Sequence, residues 1–183
     1  EVRVNAGGTL AGINQLPMEQ YLYGVVPAEL SPAIWPEVEA IKAQAVAART
    51  YAMSNLGKRA SDGYDLLATT ADQVYGGIAV EQPMSTEAVD ATARIVAKYD
   101  GALIVAFYSS TSGGHTANNE ESFATETPIP YLRGVPDQER GSSLDHVPSL
   151  EVFKARGNVG SLRGWHGGQF EAGHSSRHRW TYE

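Results

Sequence analysis

Glu29 stands in "VVPAELSP", at the end of an apolar run and between two prolines. With Val26, Pro27, Ala28 and Leu30 around it, the carboxyl is expected to be partly desolvated. Desolvation favours the proton-bearing form, which suits a general acid. A plainer reading makes Glu29 a carboxylate at a helix start, stabilised by the helix dipole, with Ser31-Pro32 opening a short turn before Trp35-Pro36. These residues alone leave both readings open.

A second chemical cluster is "FYSSTSGGHT", where hydroxyls, two glycines and His115 crowd together. Glycine lets backbone come close to a ligand, and Ser and Thr hydroxyls suit a polar ligand such as a sugar. The competing reading is a glycine turn that caps a strand and leaves His115 in solvent. A serine hydrolase built on Ser112 and His115 is set aside, because no orienting acid is apparent. His174 and His178 have a chelating spacing but sit in a Gly/Ser-rich stretch with no helix to fix them, so they read as solvated loop rather than metal ligands.

Arg49 lies in an Ala-rich helical stretch that is expected to pack. A buried guanidinium there needs a carboxylate or a ligand. Were that carboxylate Glu29, the pairing would favour the ionised form and work against an acid role.

The common catalytic signatures are absent. The chain contains no G-x-S-x-G, no G-x-x-x-x-G-K-[ST], no G-x-G-x-x-G and no H-E-x-x-H.

The elements that must position these groups follow from periodicity. "EVRVN" and "TLAGIN" flank "AGG" as a short hairpin. "LPMEQYLYGVV" has Met18, Tyr21, Leu22 and Val25 at helical spacing, and Pro27 is expected to end that helix. "PEVEAIKAQAVAARTYAMSNLG" is the strongest helix, with a narrow apolar stripe of Val38, Ile41, Ala45, Ala48 and Ala52, and Gly57 as its stop. Its alanines let neighbouring backbone approach, so it is expected to be central. Lys42 and Arg49 lie two turns apart and are expected to share a face away from that stripe.

"ATTADQVYGG" reads as a loop leading into a strand. A further helix is expected from about Thr86 to Arg94, capped by Ser85 or Thr86. "IVAKYDGALIVAFY" is a hairpin, with Asp100-Gly101 supplying two positive-φ positions. Residues 137–179 read as a long surface insertion, with "HRWTYE" returning as a strand. The expected class is α+β, with the Ala-rich helix packed against antiparallel hairpins.

At 183 residues the chain suits one domain with a core of its own. A net charge of -7 and a pI near 5.2, with no Lys/Arg run, argue against a nucleic-acid partner. With no cysteine there is no disulfide framework or thiolate metal site. No stretch approaches the roughly 20 apolar residues of a membrane helix. The chain begins at Glu1 without Met or a signal segment, so it reads as an excised or processed domain of a longer protein.

Taken in order, "LPMEQYLYGVVPAELSP", "WPEVEAIKAQAVAARTYA", "ATTADQVYGG", "FYSSTSGGHTANNEESF" and "PYLRGVPD" resemble the motifs of the stage II sporulation protein D (SpoIID) family, which also includes amidase-enhancer domains. The resemblance spans residues 16–136 and the final "HRW".

It implies a peptidoglycan lytic transglycosylase acting in the cell envelope, outside the cytoplasm, on glycan strands stripped of stem peptides. Such an enzyme cleaves between N-acetylmuramic acid and N-acetylglucosamine and leaves 1,6-anhydro-muramoyl ends. It also implies that Glu29 is the catalytic residue. By the same transfer Gln44, Arg49, Tyr51, Gln73, Tyr75, Ser110, Ser112, His115, Thr116 and Tyr131 line the cleft, and Arg49, Lys42 and His115 balance the lactyl carboxylates. Some members bind zinc through Cys and His near the "SGGHT" block. This chain has no Cys, so neither a metal nor another cofactor is expected. The alternative is a non-catalytic wall-binding module that stimulates a partner amidase.

Overall fold

The computed structural model describes residues 1–4, 7–109, 116–123 and 127–135. The chain divides into two compact units, Glu1–Tyr108 and Ser109–Glu183. The class is α+β. The 137–179 insertion, the "HRWTYE" strand, Ser110, Ser112, His115 and the remaining four histidines fall outside the described residues.

The first unit opens with a hairpin of β1 (Val2–Val4) and β2 (Leu10–Gly12), paired Val2 to Gly12 and Val4 to Leu10. Three helices follow: α1 (Met18–Glu29), α2 (Val38–Ser54) and α3 (Pro83–Ala91). Their shared core is Leu22, Val25 and Val26 of α1, Ile41, Ala45 and Ala48 of α2, and Ala88 and Val89 of α3. Burying each large aliphatic chain contributes about 1.5–3 kcal/mol, and the alanines of α2 allow the close approach its stripe suggests. Val38, at the mouth of that stripe, is exposed.

Pro27 does not end α1, which continues through Glu29. A proline this close to a helix end removes one hydrogen bond, to the carbonyl of Tyr23, while its fixed φ still suits a helix. The Leu30 amide on the Val26 carbonyl, 2.8 Å, closes the last turn. Glu29 is therefore at a helix C-terminus, neither in a loop nor at a helix start. The turn expected after it is present, with the Ile34 and Trp35 amides both on the Ser31 carbonyl.

α3 starts at Pro83, three residues before the expected Thr86, because proline takes the first helical position and Gln82 serves as cap residue. Ser85 lies inside the helix, its hydroxyl on the Gln82 carbonyl at 2.9 Å. Beyond α3, β3 (Lys98–Tyr99) and β4 (Ala102–Leu103) join through Asp100 at φ 47° and Gly101 at φ 81°. The turn is the one Asp-Gly favours, though each strand is only two residues long. The Ala97 amide donates to the Thr50 hydroxyl at 3.0 Å and ties this hairpin to α2. "ATTADQVYGG" forms no strand. It runs as irregular chain into a 3-10 turn at Gly77–Val80.

In the second unit a single helical turn, α4 (Asn119–Ser122), carries a capping box formed by Asn118 and Glu121. Buried Asn119 accepts from the Ile129 amide at 2.8 Å and donates to the Thr127 carbonyl at 3.0 Å. Arg133 pairs with Glu120, raising the guanidinium's proton affinity and lowering that of the carboxylate. No helix among the described residues is long and apolar enough to cross a membrane.

Candidate active site

Glu29 is partly buried, and its Oε1 accepts the Val74 amide at 2.7 Å. Five residues back along α1, the Gly24 carbonyl accepts the Gly76 amide at 3.1 Å. The "DQVYGG" segment therefore lies along the C-terminal half of α1, anchored at both points. The approach is close enough that a Cβ on Gly24 would stand 2.5 Å from Tyr75 Cε2 and 3.2 Å from the Gly77 nitrogen. Glycine is required here for space, since no positive φ is involved.

Gln73, fully buried, organises the surroundings of Glu29. Its Nε2 donates to the Ala48 carbonyl at 3.1 Å and to the Tyr108 hydroxyl at 3.0 Å, and its Oε1 accepts the Tyr21 hydroxyl at 3.2 Å. Because Tyr108 accepts from Gln73, its own hydroxyl proton remains available to a further acceptor, and the Glu29 carboxylate is near enough to act on the phenol. Burial, with further contributions from the Glu29 charge and its hydrogen bond, pushes the Tyr108 phenol up. Tyr21 is likewise pushed up, first by burial and then by Tyr108, Asp72 and Glu29. Both phenols therefore stay protonated donors near neutral pH.

Asp72 lies beside Gln73 but has a different environment. Its side chain is fully buried and is held by Lys58, by Arg59 at 3.2 Å and by the Leu67 amide at 2.9 Å, with the Tyr51 hydroxyl at 3.5 Å. Burial opposes ionisation, but these hydrogen bonds outweigh it and hold the carboxyl below the ordinary 3.8. Such a carboxylate is a structural anion and is not placed to exchange protons with a substrate. Glu29 differs in keeping part of its surface open.

Of the candidates named from sequence, the structure brings Tyr51, Gln73 and Tyr75 close to this cluster. The Tyr51 ring lies edge-on to Tyr108 at 6.5 Å, and Tyr75 stacks on Tyr21 at 5.4 Å. Gln44 sits on α2 one turn before Ala48, its Nε2 buried without a hydrogen-bond partner among the described residues.

Arg49 is buried and finds the carboxylate partner that a buried guanidinium needs, not a place on the cleft lining that the resemblance implies. It is 1% exposed and pairs bidentately with Glu19, at 2.6 and 3.1 Å, while also donating to the carbonyls of Ile95 and Val89. It therefore neither faces a cleft nor contacts Glu29, and it parts from Lys42, which remains half-exposed and pairs with Glu39. The reason is that a partner from α1 draws it into the junction of three helices. In the second unit, Thr116 pairs with Val135 through both amides, and Tyr131 is partly buried.

Sequence reading missed Tyr21, Tyr108 and Asp72. The available signal was adjacency: Tyr108 directly precedes the serine-rich block and Asp72 directly precedes Gln73.

Comparison with known proteins gives these residues a family context. The SpoIID model, described as stage II sporulation protein, matches residues 6–99. An uncharacterized protein of Brachyspira hyodysenteriae is 44% identical over 128 residues, 69% of this chain and 34% of its own length. The amidase enhancer of Bacillus subtilis is 44% identical over 111 residues, 61% of this chain and 14% of its own. Stage II sporulation protein D of Bacillus subtilis is 34% identical over 138 residues, 67% of this chain and 39% of its own. The chain thus spans well under half the length of these curated relatives. With half of its residues matched by the family model and the ordered blocks around Glu29 intact, the chain belongs to the SpoIID family.

Proposed function

We propose that the protein is a peptidoglycan lytic transglycosylase of the cell envelope, acting outside the cytoplasm on peptide-stripped glycan strands, with Glu29 as its one acid/base. The supporting observation is the contrast between two neighbouring carboxylates. Glu29 is partly open and aimed by the Val74 amide, whereas Asp72 is sealed and ion-paired. Hydrolytic glycosidases usually use two carboxylates, one of which activates water or attacks the sugar. Only one accessible carboxyl lies in this cluster among the described residues, which favours attack by a nucleophile the substrate itself carries.

In the first step the Glu29 carboxyl gives its proton to the glycosidic oxygen as the bond from that oxygen to the muramoyl C1 breaks. The muramoyl C6 oxygen then bonds to C1, and its proton passes to the Glu29 carboxylate, closing the 1,6-anhydro ring and restoring the acid. The Val74 amide orients Oε1, and the Tyr108 hydroxyl stabilises the carboxylate between the two transfers. Gln73 positions Tyr108.

Incubation with peptide-free glycan strands, read by mass spectrometry for anhydro-muramoyl ends, tests this reading. Unchanged product from Glu29→Gln would remove its basis. The second reading is a wall-binding module that stimulates an amidase, favoured by the 44% identity to a relative named amidase enhancer. In that case Glu29→Gln leaves stimulation of the amidase intact and no anhydro product forms with either protein.

A further inference from the structure

A groove of about 750 Å³ lies in the first unit, lined by the inner side of the N-terminal hairpin, the start of α1 and the loop around residues 63–69. Glu29 is not among its lining residues. Tyr21 and Tyr75, however, belong both to this groove and to the surroundings of Glu29. The Tyr21 hydroxyl bonds Gln73 while its ring stacks on Tyr75, and the Tyr75 hydroxyl accepts the Asn14 amide at 3.3 Å. The stacked pair is a common wall between the two places.

We propose that this groove is a saccharide-binding extension of the Glu29 site, holding the part of a glycan strand that lies beyond the sugar being cleaved. The proposal rests on the glycan reading above. Its size is that of a small-ligand site, and its lining combines the rings of Tyr21, Tyr64 and Tyr75 and aliphatic chains such as Ile13, Leu16 and Leu67 with a few polar side chains. Aromatic rings fit the apolar faces of sugar rings, while the Asn14, Gln15 and Thr69 side chains supply donors and acceptors for hydroxyl and acetamido groups.

Arg3 lies at the groove's lip, its Nε and Nη2 held by Glu1 at 2.6 and 3.2 Å. Its Nη1 lies over Gly63, where an added Cβ would come within 2.2 Å. A guanidinium lining this groove is a cationic donor of the kind a lactyl carboxylate accepts from.

The test uses the Glu29→Gln protein, so that ligands survive, titrated with short and long peptide-free glycan fragments and with isolated stem peptide. Amide NMR shifts and affinities are the readout. The proposal expects shifts at Asn14, Thr69 and Tyr75 and about tenfold tighter binding of long fragments than of short ones. In Ala68→Trp, which fills the groove from an exposed loop position, and in Asn14→Ala, that ratio falls toward about one.

Shifts confined elsewhere, an unchanged ratio in both variants, or response to stem peptide but not to glycan would overturn it. Length-dependent binding together with Glu29-independent cleavage overturns the catalytic reading and leaves the groove. Glu29-dependent cleavage with no length dependence overturns the groove alone.

Discussion

The Val74 amide donates to Glu29 Oε1 at 2.7 Å, and this bond sets the geometry of the whole site. It fixes one carboxyl oxygen against the irregular "DQVYGG" segment. The adjacent Gln73 reaches the other way, into Tyr108, Tyr21 and the α2 backbone. On the proposed reading, helix α1 supplies the acid and the segment lying along it supplies the groups that aim it.

Gln73→Leu is therefore expected to damage both stability and activity. It strands two phenols and the Ala48 carbonyl in a buried place, at a cost of about 1–3 kcal/mol per unsatisfied group. Tyr108→Phe separates the two effects. It leaves only one buried Gln73 N–H unpaired, a smaller loss of stability than in Gln73→Leu, and on the proposed reading lowers kcat by roughly tenfold or more because the phenol no longer acts on the Glu29 carboxylate. Thermal melts and kcat measured on the same preparations check this.

Arg49→Ala is expected to cost about 3 kcal/mol, because it leaves Glu19 beside buried carbonyls without its cation. The melting temperature should fall by on the order of 10 °C. Glu19 Oε1 also accepts the Arg94 amide at 3.2 Å, where Arg94 adopts φ 65°. Loss of the ion pair therefore also loosens the backbone leading into the β3–β4 hairpin. A substrate-binding role for Arg49 would instead show as a raised KM with an unchanged melting temperature.

Gly24→Ala sets two effects against each other. Alanine improves helix propensity by up to about 1 kcal/mol, but its methyl meets the Tyr75 ring, and overpacking of this kind costs typically about 1–3 kcal/mol. The clash is expected to win. Net destabilisation should come with reduced activity, because Tyr75 follows Val74 and its displacement disturbs the bond to Glu29. A more stable and fully active variant would contradict the close approach.

Acid stability should carry the mark of Asp72. Its carboxyl is held below 3.8 in the folded protein, so the unfolded chain binds the proton more readily. The contribution to stability is complete above about pH 4 and is lost as pH falls through the lower folded value. Asp72→Asn should be less stable than wild type at neutral pH, and the gap should narrow below about pH 4. Melting temperatures across that range measure it.

Local signals made part of this architecture legible. The alanine stripe of α2 and the Asp100-Gly101 turn depend on spacing within a few residues, and both appear in the structure. Pro27 was misleading because a proline one turn from a helix end costs little, which pattern alone does not weigh. The resemblance puts Arg49 in a cleft, while its partner Glu19 lies thirty residues earlier, where helical periodicity does not reveal it. The same limit hid Tyr21 and Tyr108. They join the site through Gln73, at separations of 52 and 35 residues.

The most direct measurement of the central claim is the product of wild type and Glu29→Gln on peptide-free glycan strands, resolved by mass spectrometry. The account predicts 1,6-anhydro-muramoyl ends from wild type and a rate lower by about 10²–10⁴-fold in the variant, the range for loss of a general acid. Reducing ends in place of anhydro ends, or equal rates from the two proteins, would contradict it.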